Sequence, residues 1–262
     1  MQGKHLNKFV NNSCILTLLT IIFVGCGSSS SSNGEGETNT TIGDATVEVF
    51  ENKPEPIIKD GYTYKKVISP ITQRVWLDKN LGATQACTAL DDEECYGDYY
   101  QWGRDSDGHE KLNTTSETLA TDVSNVGHSD FIINPIVDET KTNDWATSSF
   151  SDGSIRSMNW SKTDGSSICP LGFRVPTIEE IDLEVASIKN NTEAFESFLK
   201  LPSAGFAPAN TGKPYFTGGY GTIWSSTADG DKSKHFGFYD TDVQKNNTSF
   251  RGGGFSVRCI ED

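Results

Sequence analysis

Apolar residues along this chain come in one dense block, then vanish, then return in short bursts with two different periods. Cys14 to Gly25 is almost wholly apolar over 12 residues. That is short of the ~20 residues a membrane-spanning helix needs. It has the length of a signal-peptide core, and Lys4 and Lys8 supply a basic lead. From Gly27 to Glu37 no residue can join a core, and the Gly, Ser and then Thr composition to about Gly43 predicts a flexible tether. Thr46 to Ile58, with Pro54 and Pro56, reads as a stiffer lead-in.

Alternation with a period of two begins at Tyr62. Tyr62 to Ile68 predicts a strand, ended by Ser69-Pro70. Gln73 to Leu81 predicts a second, with Val75 and Leu77 on one face and Trp76 on the other. The aromatic-rich run Tyr96–Trp102 is expected to pack on the core. Asp105 to about Lys162 has no period; Asn134-Pro135, Asp152-Gly153 and Asp164-Gly165 are turn signals, and Trp145 and Trp160 are its isolated anchors. The spacing then changes. Ile178, Ile181, Val185 and Ile188 mark one helix face, opened by a capping box of Thr177 and Glu180, while Pro176 keeps Val175 extended. Thr192 is the expected cap of a second short helix carrying Ala194, Phe195, Phe198 and Leu199, stopped before Pro202. Glycine-rich strands follow: Gly205–Ala207, Tyr215-Phe216, Thr222–Ser226, His235–Tyr239 and Phe255–Cys259. Strands, then one or two helices, then strands again predict an α+β fold with a mostly antiparallel twisted sheet and long loops.

Charge narrows the partners. The formal net charge is −14, and −16 once the leader takes Lys4 and Lys8 with it. Such a surface repels nucleic acid and anionic headgroups, and both are discarded as partners. The acids are spread through loops and serve solubility. The leader ends Phe23-Val-Gly-Cys26, which resembles a bacterial lipobox, with Phe23 where Leu is usual. The resemblance implies cleavage before a lipidated Cys26 and anchoring to a membrane through its acyl chains. Gly27 stands where an inner-membrane retention signal would place Asp, so the implied address is the outer membrane or cell surface. The expected organisation is a leader over 1–25, Cys26 and its tether over 26–55, and a folded domain over 56–262.

Four cysteines are left for that domain: Cys87, Cys95, Cys169 and Cys259. An exported chain with an even number predicts disulfides, and four cysteines permit three pairings. Cys87–Cys95 would clip the acidic loop Asp91–Glu94, and Cys169–Cys259 would join the strand before the helix to the last strand. A zinc site is the rival use, but no Cys-x-x-Cys pair exists, and His109, His128 and His235 lie far apart in sequence.

Six segments together carry a resemblance. They are Trp76–Leu81 (WLDKNL), Cys95–Gly103 (CYGDYYQWG), Cys169–Thr177 (CPLGFRVPT), Leu201–Phe206 (LPSAGF), Ile223–Thr227 (IWSST) and Gly254–Cys259 (GFSVRC). In this order, from about Tyr62 to Asp262, they resemble the Fibrobacter succinogenes major paralogous domain. That family is similar to C-type lectin-like and formylglycine-generating-enzyme-like domains, so the resemblance implies a compact, loop-rich lectin-like fold. It implies an exported or lipoprotein setting and leaves the biochemical role open.

Catalytic signatures are scarce. The chain has no Gly-x-Ser-x-Gly elbow, no His-Glu-x-x-His and no phosphate-binding glycine loop before a helix. Gly218–Gly221 and Gly252–Gly254 fall between strands and read as turns or bulges. Formylglycine-generating enzymes work with reactive cysteines, whereas disulfide pairing would occupy all four here. The best cation candidate is Asp105-Ser-Asp-Gly-His-Glu110, where Asp105, Asp107 and Glu110 offer the hard oxygen ligands calcium takes, without the full EF-hand pattern. Tyr215, Tyr220 and Tyr239 could form an exposed platform for a carbohydrate or protein ligand; their alternative use is packing behind a glycine-rich sheet. The expected function is therefore a lipid-anchored binding or adhesion module without catalysis. An exported enzyme or maturation factor of the formylglycine-generating fold, and a structural envelope lipoprotein, are the alternatives.

Overall fold

The first strands form because one two-residue turn and one sheet compete for the run from Ile57 to Ile68. In a computed structural model, which describes residues 55–135, 143–147 and 153–262, β1 (Ile57–Lys59) and β2 (Tyr62–Tyr64) make an antiparallel hairpin. Asp60 and Gly61 have φ of 49° and 83°, the two positive values that a tight primed hairpin turn needs. The run Tyr62–Ile68 is thus two strands, not one. It breaks at Lys65, whose N–H donates to Asp78 Oδ1 at 2.9 Å and whose carbonyl accepts from Asp78 N at 3.0 Å. β3 (Lys66–Ile68) then pairs with β4 (Val75–Leu77). The leader, Cys26 and the tether lie outside the described residues, which fall in one compact unit, Lys53–Asp262.

After a one-turn 3-10 segment at Glu93–Cys95 come β5 (Tyr100–Gln101), a second 3-10 turn at His109–Lys111, and the parallel pair β6 (Thr115–Ser116) and β7 (Phe131–Ile132). The stretch expected to be irregular also holds a helix, α1 (Ser154–Trp160), entered through Gly153 at φ 67°. Arg156 and Trp160, four residues apart, are its buried face. β8 (Phe173–Arg174) leads into α2 (Ile178–Glu184), which carries the expected reciprocal capping box of Thr177 and Glu180. α3 (Asn191–Glu196) starts earlier than its apolar pattern suggested. Asn190, not Thr192, is the cap, accepting from Glu193 N at 2.9 Å. Phe198 and Leu199 lie past its end. The long hairpin ribbon is β9 (Gly221–Asp229), β10 (Lys232–Phe238) and β11 (Val243–Phe250), followed by β12 (Gly254–Phe255) and β13 (Ile260–Glu261). Among the described residues no helix is long and apolar enough to cross a membrane.

The central sheet runs β3-β4-β13-β8, all antiparallel, and a second runs β11-β10-β9. With few and short helices, the class is α+β and mostly antiparallel. Adjacent residues feed opposite cores. Leu77, Trp224 and Cys259 pack in one cluster with Trp102, Trp160 and Phe255; their neighbours Trp76, Ile223 and Ile260 pack in another with Ile181, Val185 and Phe236. That is the period-two pattern acting on both sheet faces. All five tryptophans are buried, and each indole N–H finds an acceptor, such as Trp145 on the Trp102 carbonyl at 2.9 Å.

The cysteines pair as Cys87–Cys95 and Cys169–Cys259, with Cα–Cα separations of 5.0 and 6.0 Å. The run Phe255–Cys259 is not one strand, since Phe255 ends β12 and β13 begins only at Ile260; the longer link holds Cys259, just before β13, beside β8, where Ile260 pairs with Arg174. Arg258, between Cys259 and Val257, is buried and has only neutral partners: Asn80 Oδ1 at 2.9 Å, the Leu199 carbonyl at 2.6 Å and the Leu77 carbonyl at 3.3 Å. Burial lowers its pKa to about 9, so it is charged at neutral pH and ties β4 to the turn after α3.

Candidate functional site

Phe206 is the hub of an aromatic run that crosses from the core to the surface. Its backbone exchanges hydrogen bonds with Tyr215 at 3.1 and 2.8 Å. That close approach is open because residue 205 is glycine; a Cβ there would lie 2.2 Å from the Tyr215 carbonyl oxygen. Beyond Tyr215 the chain turns sharply. Phe216 takes φ 58°, costly for a bulky residue, and is held there from both sides. Its carbonyl accepts from Gly219 N and Tyr220 N at 3.2 and 3.0 Å, while Gly218 N reaches the Ser203 carbonyl at 2.7 Å and Gly205 N the Tyr220 carbonyl at 2.6 Å.

The Tyr215 and Phe216 side chains are therefore displayed on a fixed backbone, 53% and 58% exposed, with ring centroids 4.3 Å apart. The Phe206 ring sits edge-on to Tyr215, Tyr220 and Phe255 at 5.8, 5.9 and 6.0 Å. Of the three tyrosines expected on a platform, Tyr215 is exposed, Tyr239 is half-buried and Tyr220 is buried at 7%. Tyr220 and Tyr239 stack at 4.2 Å, and the Tyr220 hydroxyl donates to Gln244 at 3.2 Å. Burial, followed by Tyr239, raises the Tyr220 phenol pKa. Phe206 joins Tyr215 and Tyr220, and Tyr220 carries Tyr239, but only Tyr215 and the unforeseen Phe216 stand out as a tip.

Behind the tip the run continues into a groove of about 270 Å³. Phe206, Phe250 and Phe255 line it, with Asn143, Asn210 and Ser249 as its polar groups. Phe255 stacks on Trp224 at 4.0 Å, and His235 meets both rings edge-on. The groove was not visible in sequence because its walls come from three separate segments.

The acidic turn is built differently from the expected ligand set. Asp105 accepts from Asn159 Nδ2 at 2.6 Å. The three groups whose ligand atoms converge, within 4.8 Å, are Asp107, His109 and Glu110. His109 Nε2 accepts from Gln101 N at 3.0 Å, which places the proton on Nδ1, 2.8 Å from Asp107 Oδ1. The other Asp107 oxygen accepts from Arg104 Nε at 2.8 Å, and Glu110 Oε2 accepts from Gly108 N at 3.0 Å. Burial holds the His109 pKa down to about 4 against the pull of Asp107. Burial raises the Asp107 carboxyl, and His109 and Arg104 together outweigh it and leave it below its ordinary value. Burial raises both Asp105 and Glu110. Arg104 also donates to the Asp130 and His128 carbonyls, both at 2.9 Å, so the turn fastens the 128–132 segment to β5. A cleft of about 430 Å³ lined by Asp105, Asp107 and His128 opens beside it. A cation there would share Asp107 with a guanidinium, an electrostatic cost.

Compared with protein-family models, with curated proteins and with solved structures, the chain matches none.

Proposed function

We propose that this chain is an exported binding or adhesion module, anchored to the outer membrane or cell surface through lipidated Cys26, with a C-type lectin-like domain and no catalysis. The observation that carries the reading is the Tyr215-Phe216 tip. Two large rings stand exposed side by side on a hydrogen-bonded turn, an arrangement suited to an apolar contact with a partner. The antiparallel, loop-rich architecture and the six family-like segments agree with the lectin-like assignment. The pairing of all four domain cysteines favours binding over the thiol chemistry of formylglycine-generating enzymes. The acidic turn, on this reading, is a structural fastener, and calcium at Asp105, Asp107 or Glu110 is secondary to it. The ligand is a carbohydrate or a protein.

Full-length chain displayed on bacterial cells tests this. Cells should be retained on beads coated with mixed polysaccharide or mixed protein. Tyr215→Ala/Phe216→Ala should cut retention at least fivefold with membrane levels unchanged, and Cys26→Ser should release the protein from the membrane fraction. Retention indifferent to the double substitution, or absent in wild type on both coatings, rejects the binding reading. Membrane fractionation of Cys26→Ser after normal cleavage rejects the anchor.

A further inference from the structure

The groove behind the aromatic tip differs in kind from four other clefts on the domain. Two larger ones are lined by charged groups: Asp105 and Asp107 in one; Glu184, Lys189, Glu193 and Glu196 in the other. Arg156 and Lys162 line a third, and Arg74, Glu261 and Asp262 a fourth. Among the described residues, no charged side chain lines the groove at Phe206. In a domain this acidic, a neutral wall sets the ligand's charge. Among the described residues it offers a cationic ligand no carboxylate, and the one cation beside it, Lys232, is engaged over the Phe250 ring.

Its remaining chemistry is equally specific. Three phenylalanine rings offer apolar surface, and two amides and a hydroxyl stand beside them. At about 270 Å³ the groove falls below the ~300–1,000 Å³ of sites that engulf a drug-sized ligand. It suits one ring of a longer chain lying across it. One polar atom is unsatisfied. Asn143 Oδ1 is closed to solvent and has no hydrogen-bond partner, although the Asn143 carbonyl is fixed by Gly252 N at 2.8 Å. Buried acceptors are normally paired; rotation of this side-chain amide into the groove would pair it with a ligand hydroxyl. Lys232 stands 4.6 Å over the Phe250 ring, outside the lining.

From these features we infer that the groove is a subsite for a neutral hexopyranose unit, which presents an apolar C–H face to the half-buried rings Phe206 and Phe250 and hydroxyls to Asn143, Asn210 and Ser249. This rests on the binding-module reading and deepens it. The tip at Tyr215 and Phe216 is continuous with the groove through Phe206, so the next sugar of the chain has an aromatic surface to lie on.

Isothermal titration of the full-length protein in detergent micelles decides it, using neutral gluco-, manno- and galacto-configured trisaccharides and their uronic-acid counterparts, with chelator present. At least one neutral trisaccharide should bind, and its uronic counterpart at least tenfold more weakly. Asn210→Trp, at the exposed rim, should abolish binding by filling the groove, and Asn143→Ala should weaken it about tenfold. Binding unchanged in Asn210→Trp overturns the assignment, as does tighter binding of the uronic form. If cells are retained on protein-coated beads and no trisaccharide binds, the sugar subsite falls and the binding module stands. If neither is seen, both fall.

Discussion

Buried side chains with a proton to gain are where this domain is most exposed to its surroundings. His109 and His235 are both buried, and burial lowers each pKa from 6.5 to about 4. A base whose folded pKa lies below its unfolded value stabilises fully above the unfolded pKa and loses that contribution as pH falls from 6.5 towards 4. At about 1.4 kcal/mol per unit, the pair accounts for on the order of a few kcal/mol. Carboxylates held below their ordinary values, such as Glu180 against Arg174, add their losses only at lower pH. The histidine contribution should lower the melting temperature between pH 7.5 and pH 5, against a smaller opposite one from Asp98, Asp105 and Glu110, whose carboxyls burial raises. His235→Phe should shrink that drop and fold well, because its ring already sits among Trp224 and Phe255 and its Nδ1 has no partner. An unchanged drop in thermal melts of His235→Phe would show that burial of this ring is not the cause. The sequence announced the acidic turn as a place of chemistry, but not that His109 would replace Asp105 in it. That exchange depends on Gln101 N and Arg104, contacts that only the folded chain makes. Which tyrosine faces water was equally hidden, since a glycine-rich loop has no period to read.

At the scale of elements, legibility followed the strength of local signals. α2 was readable from a capping box and an apolar face that both lie in its own sequence. α3 was shifted because Thr192 and Asn190 are both competent caps, and Glu193 chose between them by placing its N–H on Asn190 and its carboxylate on Lys189 N. Thr177→Ala and Asn190→Ala should each cost about 1 kcal/mol, and Thr192→Ala less than about 0.5 kcal/mol, in chemical denaturation. A Thr192 effect as large as the Asn190 effect would restore the later start. β11 went unseen for another reason. Its sequence, Val243 to Phe250, is nearly all polar, because it is an edge strand on β10 with little to bury. α1 was missed because its helical face is only Arg156 and Trp160, too few positions to declare a period. The Asp60-Gly61 turn, by contrast, is a local signal, since Asp-Gly suits the two positive φ values of a primed hairpin turn.

For the whole molecule, class was legible because it follows from the order of strands and helices, and an even number of cysteines in a chain read as exported announced disulfides, while which of the three pairings forms depends on which strands meet. The groove was not, since it joins residues 143, 206 and 249–255. The two disulfides should differ in weight. Cys169–Cys259 closes a sequence separation of 90 and lies wholly buried; Cys87–Cys95 closes only 8. Chain-entropy reasoning puts the longer link near ~4–5 kcal/mol. Cys169→Ala/Cys259→Ala should lower the melting temperature far more than Cys87→Ala/Cys95→Ala does, and equal losses in calorimetry would refute that ranking. The same join has a consequence in time. β13 stands between β4 and β8, yet it is made after both, and Ile260 pairs with Trp76 across most of the domain. Until that last strand is delivered, the central sheet is two separate edges and Arg258 has not reached Asn80. Pairings of such long range close slowly. Refolding should therefore be slow, in the millisecond-to-second range of sheets closed by distant pairings, and a microsecond phase accounting for the whole signal in stopped-flow refolding would refute it.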